Sequence, residues 1–151
     1  MKLYKSLSLQ QTADLIAAIG SKQTVLAQGE MGIGKSSILK MLKAKPEFKD
    51  YFFCYVDITT KDVGDFVVPK IRTIDGVEVC SFIPNEEFGL HFKDKKVVMM
   101  LDELGKATKP VKDALLTLLL EHRLGDTYLP EGSIVCGATN LSSDNVGDML
   151  K

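Results

Sequence analysis

The stretch GEMGIGKS, residues 29–36, constrains this chain more than any other. Gly29 and Gly34 are the fixed glycines of the pattern G-x-x-x-x-G-K-S/T, and Lys35 and Ser36 complete it. A loop with this spacing turns successive backbone N–H groups toward one point. The helix that follows aims its positive end at the same place, so the occupant it suits is a train of phosphates. Glycine is needed because side chains would block the approach. The expected cradle runs through Gly29, Glu30, Met31, Gly32, Ile33, Gly34, Lys35, Ser36 and Ser37. Lys35 can reach β- and γ-phosphates as a point charge, and the Ser36 hydroxyl suits a Mg²⁺ ion that bridges them. The motif requires a strand before it and a helix after it. Residues 24–27 are a short apolar, partly β-branched run, and Ile38, Leu39, Met41 and Leu42 recur at helical spacing. Both conditions are met.

Other features bound the rest. At 151 residues the chain suits a single domain over residues 1–151, large enough to bury about 70% of its unfolded surface. Nineteen basic against 20 acidic side chains leave a net charge of -1, so no global basic field argues for nucleic acid. The first residues lack a sustained apolar run, and no stretch approaches the 18 or so apolar residues of a membrane span. A cytoplasmic protein without membrane partners is expected. Cys54, Cys80 and Cys136 are odd in number, widely spaced and set among apolar residues, which predicts reduced core thiols rather than disulfides or a zinc site.

Along the chain, Ser8 and Gln11 have capping-box spacing before an amphipathic helix that Gly20 closes. Residues 51–56 form an apolar run expected to be a strand inside a helix-covered parallel sheet. A short helix is expected over residues 59–66, capped by Thr59 or Thr60. Two β-rich arms over residues 67–83, joined by Asp75-Gly76, predict a hairpin inserted into the α/β unit, with Pro69 forcing an edge or a bulge. A short segment with Phe88, Leu90 and Phe92 is read as helical. KVVMMLDE, residues 96–103, is a buried strand that emerges at two carboxylates, Asp102 and Glu103. Thr108 and Pro110 open a helix whose leucines, Leu115 to Leu120, cover more than one face and call for cover on several sides. Residues 133–139 form a last strand that ends at Asn140, and the polar remainder barely begins a helix.

Ligands of open α/β sheets bind beyond the carboxyl ends of the strands, so Asp102 and Glu103 should share a crevice with the glycine-rich loop. An acidic pair at a strand end also serves as a helix cap or a solvated turn, and an isolated asparagine there is usually a surface residue. The phosphate cradle upstream favours the chemical reading. Phosphoryl transfer to water needs a cradle, a metal, a positioned water and charge stabilisation. Ser36 and Asp102 would hold Mg²⁺, Glu103 would polarise the water, and Asn140 would donate to the γ-phosphate or orient that water.

GEMGIGKS, KVVMMLDE and CGATN together resemble the Walker A, Walker B and sensor 1 elements of the AAA+ ATPases. DVGDF, the hairpin, PNEEFGL and LDELGKATKPVKDALLTLLLEHRLGD resemble the MoxR and dynein-related branch, in which a hairpin lies in the second helix region. The resemblance covers residues 25–140. It implies a P-loop NTPase fold, a three-layer α/β/α sandwich with a mostly parallel sheet in the order 1-4-3-2. It also implies ATP and Mg²⁺ as cofactors, with Lys35, Glu103 and Asn140 catalytic, and a ring-shaped, often hexameric assembly that remodels a protein client, in some members through an adaptor. Met31 stands where relatives often have proline. Relatives continue into a fifth strand, an arginine finger and a helical lid, so the resemblance makes residues 1–151 the front part of such a module, or a degenerate one, with the fifth strand missing. A nucleotide-binding switch or scaffold with little hydrolysis is the alternative, and a small P-loop kinase a weaker one.

Overall fold

The computed structural model describes residues 7–29 and 34–140, with the side chain of Asn140 excluded. Its centre is a four-stranded parallel sheet made of β1 (Val25–Gly29), β2 (Phe52–Asp57), β5 (Val97–Asp102) and β8 (Ile134–Asn140), in the order β1-β8-β5-β2. Numbered among themselves, these strands run 1-4-3-2, as the resemblance implied. The register aligns their carboxyl ends: Gly29 lies opposite Asn140, Leu101 opposite Gly137, and Asp57 opposite Asp102.

Side-chain alternation divides the core into two layers. Val98, Met100, Ile134, Cys136 and Ala138 face one side. There they meet Ala13 and Ile16 of helix α1 (Leu9–Ile19) and Ile38 and Leu42 of helix α2 (Ser37–Lys43). Cys54, Val56, Val97, Met99, Leu101 and Val135 face the other side, against Val111, Leu115, Leu118 and Leu119 of helix α3 (Lys109–Glu121). The molecule is thus a three-layer α/β/α sandwich. β5 is buried from Val97 through Leu101, which its uninterrupted apolar sequence requires of a central parallel strand.

Local chemistry explains the element ends. Ser8 and Gln11 form the reciprocal capping box at the start of α1. Gly20 ends α1 for a reason of space. Its backbone is right-handed, but a Cβ there would lie 2.4 Å from the Ile16 carbonyl oxygen and 2.9 Å from Ile134 Cγ2.

Several expectations are corrected. β2 pairs with β5 alone among the described strands and is a sheet edge, so Tyr55 is exposed. The expected helix over residues 59–66 is two single 3₁₀ turns, Ile58–Thr60 and Val63–Asp65, because the carboxylates of Asp57 and Asp65 take local backbone N–H groups, those of Thr59 and Asp62. The segment around Phe88 is likewise one 3₁₀ turn, Glu86–Phe88, closed by Gly89 in the left-handed region. Leu120 on α3 is 71% exposed, so intrachain cover reaches only Leu115, Leu118 and Leu119 of that leucine run in full.

The hairpin is present as β3 (Val67–Ile74) and β4 (Val77–Pro84), with regular antiparallel pairing even at Pro69. Asp75 and Gly76 both have positive φ, 52° and 78°, as a two-residue turn matched to strand twist demands. Its arms stand away from the core and leave Ile71, Ile74, Val77 and Phe82 exposed. Cys80 belongs to this exposed group and is not a core thiol, whereas Cys54 and Cys136 are buried and free. The hairpin is tied to the loop between the short paired strands β6 (Arg123–Leu124) and β7 (Thr127–Tyr128). Asp126 N–H donates to the Phe82 carbonyl at 2.9 Å, and Arg72 lies 3.5 Å from Asp126. Among the described residues no helix is long and apolar enough to cross a membrane.

Candidate functional site

β1 delivers the chain to the glycine-rich loop at Gly29, which is buried. The expected cradle residues Glu30, Met31, Gly32 and Ile33 lie outside the described residues. The chain returns at Gly34, whose φ of +84° only glycine adopts without strain. A turn through Lys35 and Ser36 starts α2, with Ser37 N–H donating to the Gly34 carbonyl at 2.8 Å. Ser36 is exposed and its side chain makes no capping bond to α2, whose first turn carries no acidic residue. No acidic residue of that first turn cancels the positive end of the helix.

Lys35 crosses from loop to sheet. Its Nζ donates to the Gly29 carbonyl at 3.2 Å and to the Thr139 carbonyl at 2.6 Å, so one ammonium group joins the ends of β1 and β8. Asn140 stands at that same edge, opposite Gly29 in the register.

The acids occupy the neighbouring strand end. Asp102 shares a sheet face with Val98 and Met100, the face that α1 and α2 cover. Its Oδ1 accepts from the Glu103 backbone N–H at 2.9 Å, and its Oδ2 accepts from the Tyr55 hydroxyl. Burial first, then the hydrogen bond to Asp102 and the surrounding carboxylates, hold the Tyr55 phenol well above its ordinary pKa, so it stays a neutral donor.

Glu103 leaves the strand at φ 62°, ψ 40°, a left-handed conformation that a glutamate adopts only under constraint. The constraint comes from the next residue. Leu104 is fully buried and packs where a Cβ on Gly137 would stand, 2.3 Å from its Cδ1. The Glu103 carboxylate lies 3.2 Å from Lys106 Nζ.

Sequence reasoning overlooked three participants. Asp57 ends β2 opposite Asp102, and its Oδ1 accepts from Thr59 N–H at 3.0 Å and Thr59 Oγ1 at 2.6 Å. The rule that places ligands at the carboxyl edge also covers Asp57, the last residue of FFCYVD. Tyr55 and Lys106 gave no comparable signal, since their partners depend on side-chain reach.

The oxygen donors at the carboxyl edge are of the kind that Mg²⁺ takes. Ser36 and Asp102 offer hard oxygen ligands, and no group of three or more His, Cys, Asp or Glu suited to a metal is present among the described residues. Such a set suits an ion that keeps water and phosphate oxygens in most of its shell.

No family model matches the sequence, and no curated protein matches it significantly. Solved structures do match. NtrX from Brucella abortus in complex with ADP aligns with a TM-score of 0.58 at 14% identity, over 99% of this chain and 32% of that one. NtrX in complex with ATP aligns at 0.57 with 16% identity, over 99% and 32%. A protein of Cytophaga hutchinsonii, described as an ATPase by inference, aligns at 0.53 with 18% identity, over 88% and 38%. The chain spans about a third of the length of these structures. Its parallel sheet and two helical layers make a three-layer α/β/α fold of the P-loop NTPase type, shared with these structures.

Proposed function

We propose that this chain is the nucleotide-binding part of an AAA+ ATPase of the MoxR-like type, which binds and hydrolyses ATP in an oligomeric ring that remodels a protein partner. The observation that carries the proposal is Lys35. Its ammonium group stands at the meeting point of β1 and β8 and shares the carboxyl edge of the sheet with Asp102 and Glu103. The fold is also shared with structures that hold ADP and ATP. In this reading Lys35 binds the phosphates, Ser36 and Asp102 hold Mg²⁺, and Glu103 orients the attacking water with help from Asn140. The ion supplies neutralisation of charge on the phosphate oxygens. Ring assembly and the client rest on the resemblance of the hairpin and α3 segments.

A second reading, a nucleotide-dependent switch with slow turnover, draws on two observations. Glu103 is paired with Lys106. Both arginines of the sequence, Arg72 and Arg123, are engaged, Arg72 by Asp126 and Arg123 by Glu121 and the Gly125 carbonyl. An arginine that stabilises the transition state contributes about 10³ to 10⁵ in rate.

Binding of a fluorescent ATP analogue by wild type and Lys35→Ala, with phosphate release measured in the absence of an acceptor, tests the proposal. Loss of the charged contact should weaken binding about ten- to hundred-fold, from roughly 1.5 to 3 kcal/mol. Equal affinity in the two proteins removes Lys35 from the site. Binding without phosphate release selects the switch.

A further inference from the structure

We infer that Tyr55 is a positioning residue whose phenol, together with the Glu103 backbone N–H, fixes the Asp102 carboxylate for the Mg²⁺ that accompanies a nucleotide. The inference rests on the proposed nucleotide site. Tyr55 lies opposite Met100, so Asp102 is its diagonal neighbour on the same sheet face, a separation that an aromatic side chain spans. Each carboxylate oxygen of Asp102 receives one donor, the phenol on Oδ2 and the backbone N–H on Oδ1. The terminal torsion of an aspartate is otherwise broad, and a hold at both oxygens narrows it. One lone pair on each oxygen is left for a ligand.

Charge makes tyrosine suitable here. A lysine or arginine in its place would hold Asp102 equally well, but it would cancel the charge that attracts the cation. A phenol donates without neutralising. Packing alone does not account for the hydroxyl, because Tyr55 is 44% exposed on an edge strand and phenylalanine would supply the same ring. Asp57, the other acid on this face, is engaged with Thr59 and does not duplicate the role. Partners that orient a metal-binding carboxylate typically contribute ten- to hundred-fold to metal affinity.

The test is Tyr55→Phe in the full chain, read by a fluorescent ATP analogue with EDTA and across a Mg²⁺ titration. Affinity in EDTA is expected to be unchanged, while the Mg²⁺ concentration giving half the effect rises about ten-fold. Equal loss in EDTA and in Mg²⁺ would indicate a general structural role and overturn the assignment, as would an unchanged Mg²⁺ midpoint. A double-variant cycle with Asp102→Asn supplies a second readout. The Mg²⁺ effects of the two substitutions are expected to be strongly non-additive, and additivity overturns the assignment. If wild type gains no affinity from Mg²⁺, the proposed function itself fails, which is distinguishable from a wild-type gain that Tyr55→Phe retains.

Discussion

At the scale of single residues, Asp102 and Glu103 are adjacent in sequence but differently held, and their substitutions should diverge. Asp102 is fixed at both oxygens, whereas Glu103 projects from a left-handed turn toward Lys106. Glu103→Gln is expected to keep Mg²⁺-nucleotide binding and to abolish phosphate release. Asp102→Asn is expected to weaken the Mg²⁺-dependent part of binding by about ten-fold or more. Identical binding losses at saturating Mg²⁺ would refute that division, and equilibrium titration beside a phosphate assay decides it. The acidic pair was legible because a buried apolar run must end at the rim of a sheet. The hold on Asp102 was not, since Tyr55 lies 47 residues away in sequence. The cysteines show the same limit. Burial pushes the thiols of Cys54 and Cys136 up to about 12, as expected of core residues, but Cys80 sits on an exposed arm that the apolar sequence around it concealed.

At the scale of elements, the contact between β8 and the turn after β5 is the most demanding. Gly137 has no space for a side chain beside Leu104 and Leu26, so Gly137→Ala must displace a fully buried leucine. A loss of about 1 to 3 kcal/mol is expected, from the urea midpoint. Phosphate release should fall more than nucleotide binding, because the displaced Leu104 carries the Glu103 turn with it. Unchanged stability would mean that the leucine tip simply moves aside. The strands were readable from their apolar runs and α1 from its capping box. The turns after β2 were misread because periodicity does not register the Asp57 and Asp65 side chains that close them one turn at a time. The leucines of α3 were read as needing cover on several sides, from the sheet and a neighbouring helix or from a second subunit, yet pattern alone does not reveal that Leu120 faces outward within the chain.

At the scale of the whole molecule, the sheet with its helices holds the buried core, and the hairpin arms are mostly exposed. Asp75-Gly76 made the hairpin visible in the sequence, but not how far its arms leave the core. Replacing residues 70–81 with a short glycine linker should leave the thermal midpoint within a few degrees, since a lone two-stranded ribbon adds little stability. A collapse of the midpoint would show that the arms support the core. Nucleotide affinity should also persist, which the fluorescent analogue would measure. Within the core, Lys35 acts as a clasp across the mouth of the sheet, fastened to the carbonyls of Gly29 and Thr139. A phosphate that draws the ammonium to itself would unfasten both strands at once. The arrival of nucleotide would then be announced to β8 by a bond given up, one residue from Asn140.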